Sequence, residues 1–273
     1  MFPASVWSEY YPNLSIQDSV LRLKAAGFTH TELSITHTEQ LVAEGTPERT
    51  GAQLQQFFRD EGFTVPQGHL SFSKGLCSEE AIDLLKRELA LYQALGITNA
   101  VLHFNGGKGL PPEEQFSLRV EGIRKLQPML KGTPLHLCLE NLGSVPDTHT
   151  AQKLLHIMDT VGGENLAICL DTGHLHLVNG RGEAEQTQRE FILTAGSHLR
   201  AMHVTENNGK NDVHQMPYSA RYGIDWPQVV AALREVGYRG LFNLEILGER
   251  NAPEAIKEAK LRFIREMVTL MLA

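Results

Sequence analysis

Seven ionisable residues stand at or near the ends of apolar, strand-like runs: Glu32, His69, His103, Glu140, Asp171, His203 and Glu245. Carboxylates and imidazoles tolerate burial only when paired, hydrogen-bonded or bound to a cation. Few Lys or Arg stand among them, so a divalent cation is the economical partner. Oxygen and imidazole ligands suit Mn, Co, Zn or Fe, and the lack of neighbouring thiolates argues against a structural zinc. Any one of these residues taken alone is more often a hydrogen-bonded structural group; seven on one rim reverse that balance. His136 lies two residues before Cys138 and four before Glu140, which places it one inward layer lower as a core histidine. His30, His37, His149, His156 and His198 fall in helices, caps or loops and read as structural, whereas His176 reads either way.

Those seven positions share a rim only if the strands that carry them are parallel. Short β-like runs do alternate with longer amphipathic stretches along the whole chain. The strands are expected at 3–7, 29–34, 63–70, 98–104, 134–140, 165–171, 199–204 and 240–246. Helical patterns fill 15–26, 47–61, 78–95, 113–131, 147–160, 183–195, 225–236 and 252–272. Gly or Pro breaks such as AAGF, DEGF and ALGIT precede several strands, where a helix ends and the chain turns back into the sheet. Eight β–α units in 273 residues favour one (β/α)8 TIM barrel, an α/β fold spanning 1–273 as a single domain. No G-x-G-x-x-G follows the first strand, which removes the main support for a dinucleotide-binding sheet.

Composition narrows the function further. The formal charge is −7 with 42% hydrophobic and 21% charged residues, ordinary for a globular protein. With no Lys/Arg cluster, a nucleic-acid partner is disfavoured. Three cysteines, Cys77, Cys138 and Cys169, read as reduced thiols, and no leader or membrane-spanning run is evident, so the expected location is cytoplasmic.

The segments LENLGS (139–144), CLDTGHLH (169–176), HVTEN (203–207), GIDW (223–226) and FNLEI (242–246) carry a resemblance. In order and spacing they resemble the sugar phosphate isomerase/epimerase superfamily. These xylose isomerase-like barrels include D-tagatose 3-epimerase, hydroxypyruvate isomerase and inosose dehydratase. The resemblance implies that Glu140, Asp171, His203 and Glu245 ligate a divalent metal ion (Mn, Co, Zn or Mg), and that His174 contacts substrate or a second metal. Endonuclease IV, which cuts DNA at abasic sites with three zinc ions, belongs to the same superfamily. Its further ligand positions are matched by His69, His103, Asp212 and His214, which with His174 form a candidate second site.

The expected chemistry follows from these residues. A metal bound to two neighbouring oxygens of an α-hydroxy ketone or aldehyde polarises the carbonyl and stabilises an enediolate. Glu140 and Glu245, three strands apart on the circle, then remove and return the α-proton from different sides. His174, His69, His103 and Arg221 are candidate substrate contacts. Trp7, Phe72 and Trp226 are candidates for an apolar wall, and Lys108 or Arg221 for a phosphate contact. The leading expectation is a metal-dependent sugar, sugar phosphate or polyol epimerase or isomerase whose partner is a small-molecule carbohydrate. A dehydratase or lyase beginning with the same proton abstraction, and an abasic-site phosphodiesterase, are the enzyme alternatives. A barrel that only binds ligand is weaker, because so many ionisable groups on one rim need a reason.

Two segments outside the motifs carry expectations of their own. The polar stretch 205–223 follows the seventh strand and should lie over the active face, with Asp212 and His214 pointing the same way. In helix 252–272 the stripe Ile256, Ala259, Phe263, Ile264, Met267, Leu270 and Met271 should dock on the barrel. Membrane attachment is not expected, and association into a homo-oligomer is left open.

Overall fold

The computed structural model describes residues 2–184, 186–221, 223–249 and 251–273. Glu185, in the stretch expected to begin a helix, and Tyr222, in the 205–223 loop, lie outside the described residues. Eight parallel strands are present: β1 (Ala4–Val6), β2 (His30–Leu33), β3 (Thr64–His69), β4 (Asn99–His103), β5 (His136–Glu140), β6 (Leu166–Asp171), β7 (Leu199–Val204) and β8 (Phe242–Leu244). They pair in the order β1-β8-β7-β6-β5-β4-β3-β2. Where β1 meets β2 the Thr31 hydroxyl donates to the Val6 carbonyl at 2.6 Å, so the barrel is nearly closed. Each strand lies within the run expected from sequence, shortened by up to two residues at an end.

The crossover helices carry their own start signals. Ser15, Ser78 and Thr150 accept backbone N–H bonds at the first turns of α1 (Ile16–Ala25), α4 (Glu79–Leu95) and α6 (Ala151–Val161). Such caps satisfy donors that the helix cannot reach, each worth about 1 kcal/mol. Gly96 ends α4 at φ +79°, a conformation that any side chain would strain.

Two helices were not foreseen. α2 (Ile35–Glu44) precedes α3 (Pro47–Asp60) after β2, and α7 (Thr172–Gly180) begins directly at the end of β6. The remaining helices are α5 (Pro112–Leu126), α8 (Gln188–Ala195), α9 (Trp226–Glu235) and α10 (Glu254–Leu272). The expected face of α10 needs correction. Leu261, Ile264, Val268 and Leu272 dock on the barrel, while Ile256, Phe263 and Leu270 are exposed at 56%, 53% and 73%. Apolar residues occupy more than half of this helix's circumference, and the stripe chosen from spacing lies mostly on the outer part.

Inside the barrel, strand alternation turns Val101, Cys138, Cys169 and Ala201 inward, two residues below His103, Glu140, Asp171 and His203. On the opposite arc the interior is polar. Glu32 accepts from Gln67 Nε2 at 3.0 Å and from the Asn243 amide, and Ser5 donates to Asn243. His136 corrects an expectation: it is half-buried at the lower mouth, with Nδ1 bonded to the Pro134 carbonyl. β5 has only five residues, so four positions back from Glu140 the strand has already left the core.

Candidate active site and metal centre

β5 and β6 end in Glu140 and Asp171, β7 places His203 one residue before its end, and Glu245 follows β8. Their positions are fixed by a hydrogen-bonded frame. Asn141 accepts from Asp171 N at 2.7 Å and donates to Asp171 O at 2.9 Å, locking the ends of two neighbouring strands in register. Asp171 Oδ1 accepts the His174 backbone N–H at 2.6 Å and so caps α7. Gly173 is required by this turn, since a Cβ there would lie 2.2 Å from Thr205 Oγ1.

His203 is central. Its Nδ1 lies 3.1 Å from Glu140 Oε1 and 3.3 Å from Glu245 Oε2, and its Nε2 is bonded to Glu32 Oε1 at 3.0 Å. One ligand atom from each of Glu140, Asp171, His203 and Glu245 falls within 4.8 Å of the other three. All four residues are buried. Glu140 Oε2, Asp171 Oδ2 and Glu245 Oε2 are buried oxygens without a hydrogen-bond donor. His103 Nε2 approaches Glu140 Oε2 to 2.9 Å without the angle of a hydrogen bond. Such oxygens are costly unless a cation meets them, and three carboxylates plus one imidazole are the donor set that a hard or borderline divalent ion accepts. The residues fit the metal.

The electrostatics point the same way. Burial opposes a charge on His203, yet Glu245, Glu32 and Glu140 raise its pKa well above the ordinary value. Burial raises the Glu245 carboxyl to about 7 despite His203 and His214. Burial also opposes the Glu140 carboxylate, but the imidazoles of His203 and His103 hold it well below the usual range. Burial lowers His103 to about 4.

A second group lies above the first. His174 Nδ1 is bonded to the Asn141 carbonyl at 2.9 Å, its Nε2 meets Asp212 Oδ2 at 3.1 Å, and Asp212 Oδ1 is 3.5 Å from His214 Nε2. His214 Nδ1 donates to the Glu245 carbonyl at 2.9 Å. Burial disfavours the His214 charge, but Glu245, Asp212 and Asp171 raise it to about 10. The loop expected over the face does reach it, held by a feature that the sequence did not disclose. Buried Glu206 accepts the backbone N–H groups of Ser219, Ala220 and Ile224 at 2.7, 3.3 and 3.0 Å, and it pairs by backbone with Gln215.

These groups open into one cavity of about 390 Å³. Glu140, Glu245, His69, His103, His174, Asp212, His214, Trp7 and Phe72 line it. Trp7 presents its ring and uses its N–H on the Ile246 carbonyl at 3.0 Å. Phe72 stacks on His103 with ring centroids 4.2 Å apart. The His69 ring packs 5.3 Å from that of His203 with its Nε2 3.4 Å from Glu140 Oε2. Trp226 does not join the wall; it is fully buried under α9. Arg221 and Lys108 are exposed and lie outside the lining, as does half-buried His176. Glu39, Thr36 and Glu9, which also line the cavity, were not foreseen.

A parallel eight-stranded barrel with carboxylates and imidazoles gathered at the carboxyl ends of its strands defines the class: a (β/α)8 barrel with its candidate site on the face this fold uses. Residues 20–267 match the xylose isomerase-like TIM barrel model, and the chain belongs to that family. It is similar to D-psicose 3-epimerase of Enterocloster bolteae, 21% identical over 241 residues, covering 82% of this chain and 74% of that protein. A probable endonuclease 4 of Staphylococcus carnosus is 25% identical over 141 residues, covering 50% of this chain and 46% of that one. In structure, the chain superimposes on a D-psicose 3-epimerase crystallised in the presence of D-fructose with TM-score 0.79 and 19% identity, covering 99% of both chains. No helix among the described residues is long and apolar enough to cross a membrane.

Proposed function

We propose that this chain is a metal-dependent epimerase or isomerase of a polyhydroxy ketone or aldehyde. The observation that carries the reading is the set of donor-free oxygens on Glu140, Asp171 and Glu245, converging with His203 where Glu140 and Glu245 line a cavity of substrate size. The epimerases among the similar proteins support it. A divalent cation in this set would polarise a substrate carbonyl and its neighbouring hydroxyl, making the α-proton acidic.

The remaining work falls to side chains. Glu140 and Glu245 approach from strands three places apart, so one removes the α-proton and the other returns it. Their surroundings differ: Glu140 lies among the imidazoles of His69, His103 and His203, while Glu245 faces His203 and His214. His174, His69 and His103 line the cavity as substrate contacts through the Nε2 atoms that face Asp212 and Glu140, and the Trp7 ring supplies an apolar wall. A dehydratase would share the first step and differ by expelling a hydroxyl.

A second reading rests on the His174–Asp212–His214 group, whose ligand atoms also cluster within 4.8 Å. With a second metal there, phosphodiester cleavage becomes chemically available. The formal charge of −7 opposes a DNA substrate. The deciding experiment is NMR of the Mn-loaded protein with a panel of ketoses, aldoses and inososes in D2O. Deuterium entering one carbon next to a carbonyl is expected; no exchange with any of them, together with cleavage of abasic DNA, would replace this reading with the nuclease.

A further inference from the structure

One side of the cavity is built by the loops after β1, β2 and β3, strands that carry none of the four metal candidates. Its polar lining there is Glu9, Thr36, Glu39 and Ser73. Among the described residues no Lys or Arg lines the cavity at all. Lys74, next in sequence to Ser73, is turned to Glu80.

Glu39 is not a freely swinging surface glutamate. Its Oε1 accepts from Ser71 Oγ at 3.1 Å, and Ser71 is held in turn by Glu88, buried behind it, which accepts the Ser71 N–H at 3.0 Å and meets its hydroxyl. A hydrogen-bonded chain from buried Glu88 and Ser71 to exposed Glu39 therefore tethers a carboxylate at the cavity wall. A carboxylate is an acceptor only, which suits sugar hydroxyls, each of which brings a donor. Facing a phosphate dianion, the same group and Glu9 would be repulsive, and among the described residues no Lys or Arg of the lining offsets them.

We infer that the substrate is an uncharged polyhydroxy compound, its further hydroxyls bound by Glu9, Glu39, Thr36 and Ser73, and that Glu39 is the residue that rejects a terminal phosphate ester. This rests on the sugar-converting reading above and narrows it to unphosphorylated substrates.

The test compares matched pairs, a free ketohexose with its 6-phosphate and a free ketopentose with its 5-phosphate. Deuterium wash-in gives kcat/KM, and saturation-transfer NMR gives binding apart from turnover. The Mn-loaded wild type is expected to favour the free member by on the order of 100-fold. Glu39→Lys should narrow that ratio about tenfold, and Glu39→Gln by less, with Mn content unchanged. A residue serving only to hold the fold would change both members alike and leave the ratio unmoved. Esters handled as well as free sugars, or a ratio insensitive to Glu39→Lys, would overturn the inference while leaving the sugar chemistry intact. Exchange with neither member of any pair, nor with the aldoses and inososes of the wider panel, would remove the underlying reading and this inference with it.

Discussion

Replacing Glu88 by Gln should make the protein more stable at pH 8 and leave its stability at pH 4.5 unchanged. Glu88 lies on the inner face of α4 and is fully buried. The Ser71 hydroxyl has one hydrogen but two carboxyl groups beside it, Glu88 and Glu39. Glu88 is the one that burial favours in the protonated form, and its pKa rises from 4.5 to about 7. That change corresponds to about 3 kcal/mol at 1.36 kcal/mol per pH unit. Because the folded chain holds this proton more tightly than the unfolded chain, the contribution is fully present below pH 4.5 and is lost as pH rises through about 7. Glutamine reproduces the protonated group at all pH values, with an amide donor for Ser71 Oγ and an oxygen for Ser71 N. Urea denaturation of both proteins between pH 4.5 and 8 should show the difference opening to about 3 kcal/mol, or roughly 6 °C in Tm. Shared ionisable groups cancel in that comparison. A difference that is constant with pH, or a variant less stable at pH 8, would refute the protonated Glu88.

Other outcomes follow from the site. Glu140→Gln and Glu245→Gln should each lower deuterium exchange at least 10²-fold, since each removes a ligand charge and a proton carrier; a variant keeping more than about a tenth of the rate contradicts the paired roles. His203→Asn should lose far more Mn than His174→Asn, read by equilibrium dialysis, and equal loss would make His174 a ligand. Glu206→Ala strands three backbone N–H groups and should free the loop bearing Asp212 and His214. Faster amide exchange at Ser219, Ala220 and Ile224 measures this, and unchanged protection would deny Glu206 its part.

The barrel was legible because parallel strands covered by helices are short apolar runs between breaks, and a titratable residue at or near the end of seven of them is hard to miss. α2 and α7 were hidden for a local reason. Each starts within two residues of a strand, so strand and helix share one apolar stretch, and Asp171 serves both as β6's last residue and α7's cap. Glu206 was read within HVTEN, but a lone acid after a strand looks the same whether it gathers a loop or faces water. Glu88 did carry a signal, since it falls on the same helical face as Ala81, Leu85, Leu89 and Tyr92. An acid on a buried stripe should prompt a search for the donor that satisfies it. Glu39 gave no such signal, because its partner Ser71 comes from another element.

The central claim is that Glu140, Asp171, His203 and Glu245 hold one divalent cation. Titration of the metal-stripped chain with Mn(II), followed by EPR of the free ion, tests it directly. The expected result is one tight equivalent, lost in Asp171→Asn and retained in His214→Ala. Three equivalents in the wild type, or a single one that survives Asp171→Asn and vanishes in His214→Ala, would contradict it.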